Sequence, residues 1–179
     1  MIEIELVKLP EIRVKAENIP LEILYEDEFI IAINKPPFMC THPAVGNTSN
    51  TIANALYHHI KELKEFNDDL RPGIVHRLDK ETSGVLVAAK TAITHQMLCD
   101  QFKNREVKKS YLALCHSCPT ALEANFPLFR DEYHRKRMSV NFKKGRACHT
   151  TFKVLEKNAE FSLVEAFPTT GRTHQIRVH

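Results

Sequence analysis

The sequence lacks the features that mark several specialised classes of protein. Its 179 residues include no tryptophan, five glycines and nine prolines, which excludes collagen-like, low-complexity and disordered chains. No apolar run approaches the roughly 18–20 residues that a membrane span needs. The N-terminus has no basic segment followed by an apolar one, so it does not match a secretory signal peptide. These absences predict a globular protein, built mainly from one domain and located in the cytoplasm.

Motifs for metals and nucleotide cofactors are also absent. The five cysteines of a chain without a secretion signal are expected to be reduced thiols. Cys115 and Cys118 form a C-x-x-C pair, but Cys148 and His149 do not complete a regular zinc-binding spacing. Neither of the two glycine-rich phosphate-binding motifs occurs in the sequence. Neither a structural zinc nor a nucleotide cofactor is therefore predicted.

The formal net charge of +3 conceals an uneven distribution of charge. Residues 1–30 hold eight acidic and three basic side chains, so the rest of the chain carries a net charge of +8. Basic residues are concentrated in the segments 101–111 and 130–149. Such clusters are typical of proteins that neutralise nucleic-acid phosphates, although a solvated basic surface is an equally good interpretation of charge alone.

The apolar pattern alternates between strand-like and helix-like segments. Strands are predicted at 23–25, 29–34, 84–89, 109–116, 147–156 and 160–167, and helices at 51–63, at 92–103 and after Gly171. The run 84–89 is continuously apolar, which is typical of a strand buried on both faces. Residues 1–20 are predicted to be an irregular leader, and 64–72 a polar loop. This order predicts an α+β fold, with a mostly antiparallel mixed sheet and a few flanking helices.

Three side chains are candidates for chemistry on the basis of their surroundings. Asp79 lies between Arg77 and Lys80, whose charges favour an ionised carboxylate that could act as a nucleophile or base. Its alternative role is an Asx turn that caps backbone donors near Thr82. Arg172 precedes a predicted helix, where it could bind an anion or merely begin an ordinary helix. Tyr111 could stack on a base or belong to the core.

Longer motifs resemble the RluA family of RNA pseudouridine synthases, and most of all its large-subunit rRNA branch. The matching strings occur in family order and are LYED at 24–27, NKP at 34–36, HRLD at 76–79 with TSG at 82–84, KSYLA at 109–113 and GRTHQIRVH at 171–179. The resemblance covers about residues 20–179. It implies the pseudouridine synthase catalytic fold for 21–179 and the isomerisation of uridine in RNA, without a metal or an organic cofactor.

The resemblance also implies roles for individual residues. Asp79 matches the catalytic aspartate, Tyr111 the tyrosine that stacks on the target base, and Arg172 the arginine that pairs with the aspartate. Arg77 matches the arginine associated with base flipping. Further substrate or RNA contacts are expected at the remaining motif residues and at the basic segment, namely His76, Lys35, Thr82, Lys109, Arg135, Lys136 and Arg137. The expected partner is rRNA, with tRNA as an alternative, and the protein is expected to be a monomer that does not bind membranes.

Two departures from the family pattern leave other functions open. Residues 1–20 are expected to be a junction rather than the S4-type RNA-binding domain of many relatives, and the sequence ends within the last motif, which predicts a C-terminally incomplete catalytic domain. A non-catalytic RNA-binding module is therefore one alternative to the isomerase. A carboxylate-based hydrolase acting on another polyanion, which would depend on Asp79 and Arg172 alone, is the other.

Overall fold

The computed structural model describes residues 14–44, 46–61, 63 and 73–179, and it divides the chain into two compact units, Met1–Phe102 and Lys103–His179. Residues 1–13 of the predicted leader and the predicted loop at 64–72 lie outside the described residues. The other leader residues have no regular secondary structure, as predicted, but Val14 is buried in the core of the first unit. None of the described helices is long and apolar enough to cross a membrane.

The first unit contains an antiparallel sheet of three strands and two helices. The strands are β1 (Ile23–Glu26), β2 (Ile30–Lys35) and β3 (Gly84–Ala89), in the spatial order β1-β2-β3, and the helices are α1 (Ile52–His59) and α2 (Ala92–Lys103). Helix α1 begins within one residue of its predicted start but ends at His59, because the backbone of Ile60 is extended, whereas the prediction continued to residue 63. Thr51 caps the helix through a reciprocal capping box with Asn54. The buried side chains of β2, β3 and α1 form a single core cluster.

Strand β3 has the predicted bounds but not the predicted burial. Leu86, Ala88 and Ala89 are fully buried, whereas 57% of the Val85 surface is exposed. Among the described residues, the strand lies at an edge of its sheet, paired along its length only with β2 and bordered on the other side by a single bridge between Ile74 and Ala88. A continuous apolar run does not distinguish a central strand from an edge strand, so the prediction of burial on both faces was wrong.

The second unit is built around an antiparallel sheet with the order β4-β9-β8-β5. Its strands are β4 (Tyr111–His116), β5 (Glu123–Ala124), β8 (Thr150–Lys157) and β9 (Phe161–Pro168). A separate hairpin consists of β6 (Leu128–Arg130) and β7 (Met138–Val140), and the short helix α3 (Gln175–Val178) follows β9. The sequence predicted β4, β8 and β9, but it did not predict β5 or the β6–β7 hairpin, which lie in polar and basic segments. All the strand pairs among the described residues are antiparallel, which confirms the predicted α+β class.

Candidate active site

Asp79 lies in the first unit, on a loop whose backbone is fixed immediately before and after it. On the N-terminal side, the buried hydroxyl of Thr41 donates to the carbonyl oxygen of Leu78 at 2.9 Å and accepts from the Leu78 amide at 3.3 Å. On the C-terminal side, the Thr82 amide donates to the carbonyl oxygen of Asp79 at 3.1 Å. This turn uses the backbone carbonyl of Asp79 as its acceptor. Asp79 itself is half-buried.

Lys35 also holds this loop in place, from the end of β2. It is the last residue of β2, it is fully buried, and its ammonium donates to the carbonyl oxygens of Pro36 and Met39 at 2.8 Å and of Lys80 at 3.3 Å. Burial lowers the pKa of Lys35, while the nearby Cys40 and Asp79 act in the opposite direction and favour the charged form. A side chain with no exposed surface cannot reach an RNA phosphate, so the predicted RNA contact is replaced by a structural one.

The other motif residues of this loop differ in their accessibility. Arg77 is exposed and free to approach a ligand, and Thr82 is half-buried in the turn that follows Asp79. His76 is half-buried, stacks on Phe102 with ring centroids 4.9 Å apart, and accepts a 2.9 Å hydrogen bond from the Val87 amide at Nε2. His76 therefore joins the loop to β3, a structural role that the prediction of an RNA contact did not include.

In the second unit, Tyr111 and Arg172 lie at the same end of the sheet. Tyr111 begins β4 and pairs with Ala166 near the end of β9, and the chain leaves β9 through the segment that contains Arg172. Lys109 joins the two segments that contain these residues, because its half-buried ammonium donates to the carbonyl oxygen of Thr170 at 3.4 Å. Lys109 is two residues before Tyr111, and Thr170 is two residues before Arg172. Burial, together with the charge of Arg105, lowers the pKa of Lys109. Lys109 thus has a structural contact in addition to its predicted contact with RNA.

Tyr111 lies on the face of β4 that borders an apolar cavity. Side chains two residues apart on a strand share a face, so Tyr111 is in line with Ala113 and Cys115, which line a cavity of about 140 Å³. Val164 of β9 contributes to the same wall, opposite Ala113. Tyr111 is half-buried, so it is not fully enclosed in the core.

Arg172 is exposed, and its backbone is held by a residue that the sequence analysis did not single out. The Arg172 amide donates to Gln175 Oε1 at 3.0 Å, and the Arg172 carbonyl accepts from the Gln175 amide at 3.1 Å. Helix α3 begins only at Gln175 and has four residues. The Arg172 amide therefore already has an acceptor within the chain, and the group that Arg172 itself offers to an anion is its exposed guanidinium.

The basic residues Arg135, Lys136 and Arg137 are all exposed in the turn of the β6–β7 hairpin. This turn is ordered by Asp131, whose carboxylate accepts hydrogen bonds from the amides of Tyr133 and His134 at 2.9 and 2.7 Å. These hydrogen bonds lower the pKa of Asp131. Tyr133 lies in the same turn and is 91% exposed, so the turn offers an aromatic ring beside three positive charges.

The described residues contain no group of three or more His, Cys, Asp or Glu side chains that could hold a metal ion. Cys115 and Cys118 are free thiols and half-buried, and Cys148 is a buried free thiol. Burial raises the pKa of Cys148, with a smaller opposing effect from the Leu128 backbone and from Arg172. The C-x-x-C pair thus takes part in neither a disulfide nor a metal cluster in this part of the chain.

Comparisons with known proteins agree with the motifs. A family model described as RNA pseudouridylate synthase matches residues 29–179. A protein named ribosomal large subunit pseudouridine synthase D from Borreliella burgdorferi is 42% identical over 169 residues, which are 92% of this chain and 52% of that protein. Another of the same name from Nitrosomonas europaea is 44% identical over 169 residues, covering 92% of this chain and 47% of that protein. The chain therefore spans about half the length of the curated relatives that it matches.

Solved structures show the same relationship. Human RNA pseudouridylate synthase domain containing 4 superimposes with a TM-score of 0.63 at 28% identity, over 88% of this chain and 62% of that one. Human RNA pseudouridylate synthase domain containing 1 shares the fold with a TM-score of 0.68 at 24% identity, over 97% of this chain and 66% of that one. The resemblance inferred from the motifs is confirmed, and the chain belongs to the RNA pseudouridylate synthase family.

Proposed function

We propose that residues 21–179 form the catalytic domain of an RNA pseudouridine synthase that converts uridine to pseudouridine in structured RNA, with ribosomal RNA as the preferred substrate. The observation that carries this proposal is the fixed loop at Asp79, where Thr41 and Lys35 hold the residues on either side of the carboxylate. Catalytic groups need such support, because small displacements from the reacting atoms cost large factors in rate. The names of the relatives support the choice of ribosomal RNA.

The reaction is an isomerisation, which defines what the side chains must do. The bond between C1′ of ribose and N1 of uracil breaks, a bond between C1′ and C5 forms, C5 loses a proton and N1 gains one. We assign to Asp79 the stabilisation of the sugar or the abstraction of one of its protons. Tyr111 is assigned the aromatic contact with the base and, as a weak base, the proton at C5. Arg172 is assigned the electrostatic support of the aspartate.

The target uridine must leave the base stack before this chemistry can occur, at a cost of a few kcal/mol. The exposed Arg77 is well placed on the Asp79 loop to assist this step, and the basic hairpin turn with Arg135, Lys136 and Arg137 is assigned to the flanking phosphates. Thr82, Lys109 and His76 support the loops from which these contacts are made. The cytoplasmic location and the monomeric state stay predictions from the sequence.

The direct test measures tritium released from unmodified large-subunit rRNA that has been transcribed with uridine labelled at C5. Pseudouridine formation replaces the hydrogen at C5, so the active protein should release tritium, and Asp79→Asn should abolish the release. Asp100→Asn, at an exposed aspartate of α2, removes the same charge elsewhere and should leave the release unchanged. RNA binding without release by the wild-type protein would instead favour the non-catalytic RNA-binding module. Full release by Asp79→Asn would refute the role given to the aspartate.

A further inference from the structure

Gln175 is a buried amide that uses its full hydrogen-bonding capacity. Only 4% of its surface is exposed. Its Oε1 accepts from Thr170 Oγ1 at 2.7 Å and from the Arg172 amide at 3.0 Å, and its Nε2 donates to the His149 carbonyl and to Thr150 Oγ1, each at 3.0 Å. An amide side chain has two donors and two lone pairs, so all four positions are filled. Such complete satisfaction makes the orientation of the side chain unique.

The partners also determine the orientation of the Gln175 amide. A backbone carbonyl can only accept and a backbone N–H can only donate, so the nitrogen must face the His149 carbonyl and the oxygen must face the Arg172 amide. A carboxylate would keep the acceptor for Arg172 but would lose both donors. An apolar side chain of similar size would lose all four hydrogen bonds and leave buried polar groups without partners.

The two donor contacts anchor the amide to a rigid part of the second unit. Thr150 is fully buried, begins β8, pairs with Pro168 of β9 and is also hydrogen-bonded to His179 Nδ1 at 2.9 Å. The two acceptor contacts reach the segment between β9 and α3, in which Thr170 and Arg172 lie. Gln175 therefore connects the position of the Arg172 backbone to the β8–β9 pair.

We propose that Gln175 is a positioning residue, which acts on the isomerisation by fixing the backbone from which the Arg172 guanidinium extends. This inference rests on the catalytic role proposed for Arg172. All four hydrogen-bonding positions of the buried Gln175 amide are filled within the chain, so its effect should fall on the chemical step and not on the affinity for RNA. Misplacement of a catalytic group by about 1 Å can cost on the order of 100-fold in rate.

The test compares Gln175→Leu, Gln175→Glu and the control Ser162→Ala in tritium release at saturating RNA. Ser162 is buried in the same sheet and donates to the Ser117 carbonyl at 2.6 Å, near the opposite end of β9. Gln175→Leu should lower kcat by about 10- to 100-fold while the Kd for RNA stays within about twofold. Gln175→Glu should lose less kcat than the leucine variant, because it keeps the acceptor for Arg172, even if it is equally destabilised. Ser162→Ala should lower stability alone.

A second arm shows whether Gln175 acts through Arg172. In an Arg172→Lys background, Gln175→Leu should cost no more than about twofold in kcat, because interacting residues are not additive. The inference would be overturned if the fall in kcat were proportional to the loss of thermal stability across all the variants. It would also be overturned if Gln175→Leu lowered kcat by the same factor in the Arg172→Lys background as in the wild type. Should Gln175→Leu fail to fold, Gln175→Glu in the two backgrounds gives the same comparison. If Gln175→Leu keeps the wild-type kcat while Asp79→Asn is inactive, the inference about Gln175 is refuted and the proposed function is not. If Asp79→Asn is active, the proposed function itself is refuted.

Discussion

The ammonium of Lys35 donates a hydrogen bond of 3.3 Å to the carbonyl oxygen of Lys80, the residue that follows Asp79. The same ammonium donates to Pro36 and Met39, so a buried cation joins the end of β2 to the Asp79 loop. An ammonium group has three protons, and each of them has an acceptor here. The cation thus offsets its cost of burial by satisfying three carbonyl oxygens, and it places positive charge close to the Asp79 carboxylate.

Removal of this cation should impair both folding and turnover. Lys35→Met keeps the length of the side chain but leaves three carbonyl oxygens without their donor, and we expect a loss of about 2 kcal/mol in the free energy of unfolding. We expect kcat for tritium release to fall by about 10-fold or more, because the Asp79 loop loses its support. Urea unfolding and tritium release at saturating RNA are the measurements.

The matched control for this variant is Lys90→Met. Lys90 is a partly buried lysine that also makes hydrogen bonds through its ammonium; it follows β3 at the end of the sheet opposite to Lys35 and contacts Glu26 and the Asp27 carbonyl. The Lys90→Met protein should be less stable than wild type but should keep the wild-type kcat. A Lys35→Met protein that keeps wild-type stability and turnover would show that the buried cation supports neither.

The hydroxyl of Thr41 should have a comparable effect from the other side of Asp79. Thr41→Val keeps the shape of the side chain but removes the group that donates to the Leu78 carbonyl and accepts from the Leu78 amide. We expect a loss of about 1–2 kcal/mol in the free energy of unfolding and a fall in kcat of about 10-fold, measured by the same two assays. Thr48→Val, at an exposed threonine, should change neither quantity. Unchanged kcat in Thr41→Val would mean that the Leu78 backbone does not need this hydroxyl for catalysis.

Local patterns in the sequence were sufficient to predict the elements that depend on neighbours in the chain. Strand β3 has the predicted bounds and helix α1 begins within one residue of its predicted start, because an apolar run and a helix start depend on a few neighbouring residues. The motif strings likewise identified the family. These predictions required no knowledge of which distant segments meet.

The same local patterns could not predict contacts between residues that are far apart in the sequence. Lys35 precedes two prolines and has the character of a surface lysine in the sequence, but its partner Lys80 lies 45 residues away. The acceptor for the Gln175 amide is the His149 carbonyl, 26 residues earlier, and no periodicity connects the two. The β6–β7 hairpin was missed because its short strands flank a turn ordered by Asp131, and they have too few apolar residues to show an alternating pattern.

Acid should weaken the ion pairs that join β1 to α1 and to the end of β3. Glu26 contacts Lys90 at 2.8 Å and His59 at 3.0 Å, and the hydrogen bond from Lys90, followed by that from His59, lowers the pKa of Glu26 below 4.5 against the effect of burial. A carboxylate with a lowered folded-state pKa stabilises the fold above its unfolded pKa, and this stabilisation is lost as the pH falls through the folded value.

Unfolding in urea between pH 3 and pH 7 tests this dependence. The free energy of unfolding of wild type should exceed that of Glu26→Gln by up to about 1 kcal/mol near neutral pH, since the side chains of Glu26 and Lys90 are only partly buried. The difference should shrink as the pH drops below about 4.5. Glu28→Gln, an exposed acid of the adjacent turn, should give a curve parallel to that of wild type. A difference between wild type and Glu26→Gln that is constant over the whole range would contradict this assignment.

The basic hairpin turn should contribute to RNA affinity through phosphate contacts. Neutralisation of Arg135, Lys136 and Arg137 to glutamine removes three exposed charges from one turn. Each phosphate contact contributes about 0.7–0.9 to the slope of log K against log salt, so the slope for structured rRNA should become less negative by about 2. Replacement of three exposed lysines at separate sites, Lys61, Lys153 and Lys157, removes the same charge and should change the slope by less than half as much. Equal slopes for the two triple variants would show that net charge, rather than the hairpin turn, governs the binding of RNA.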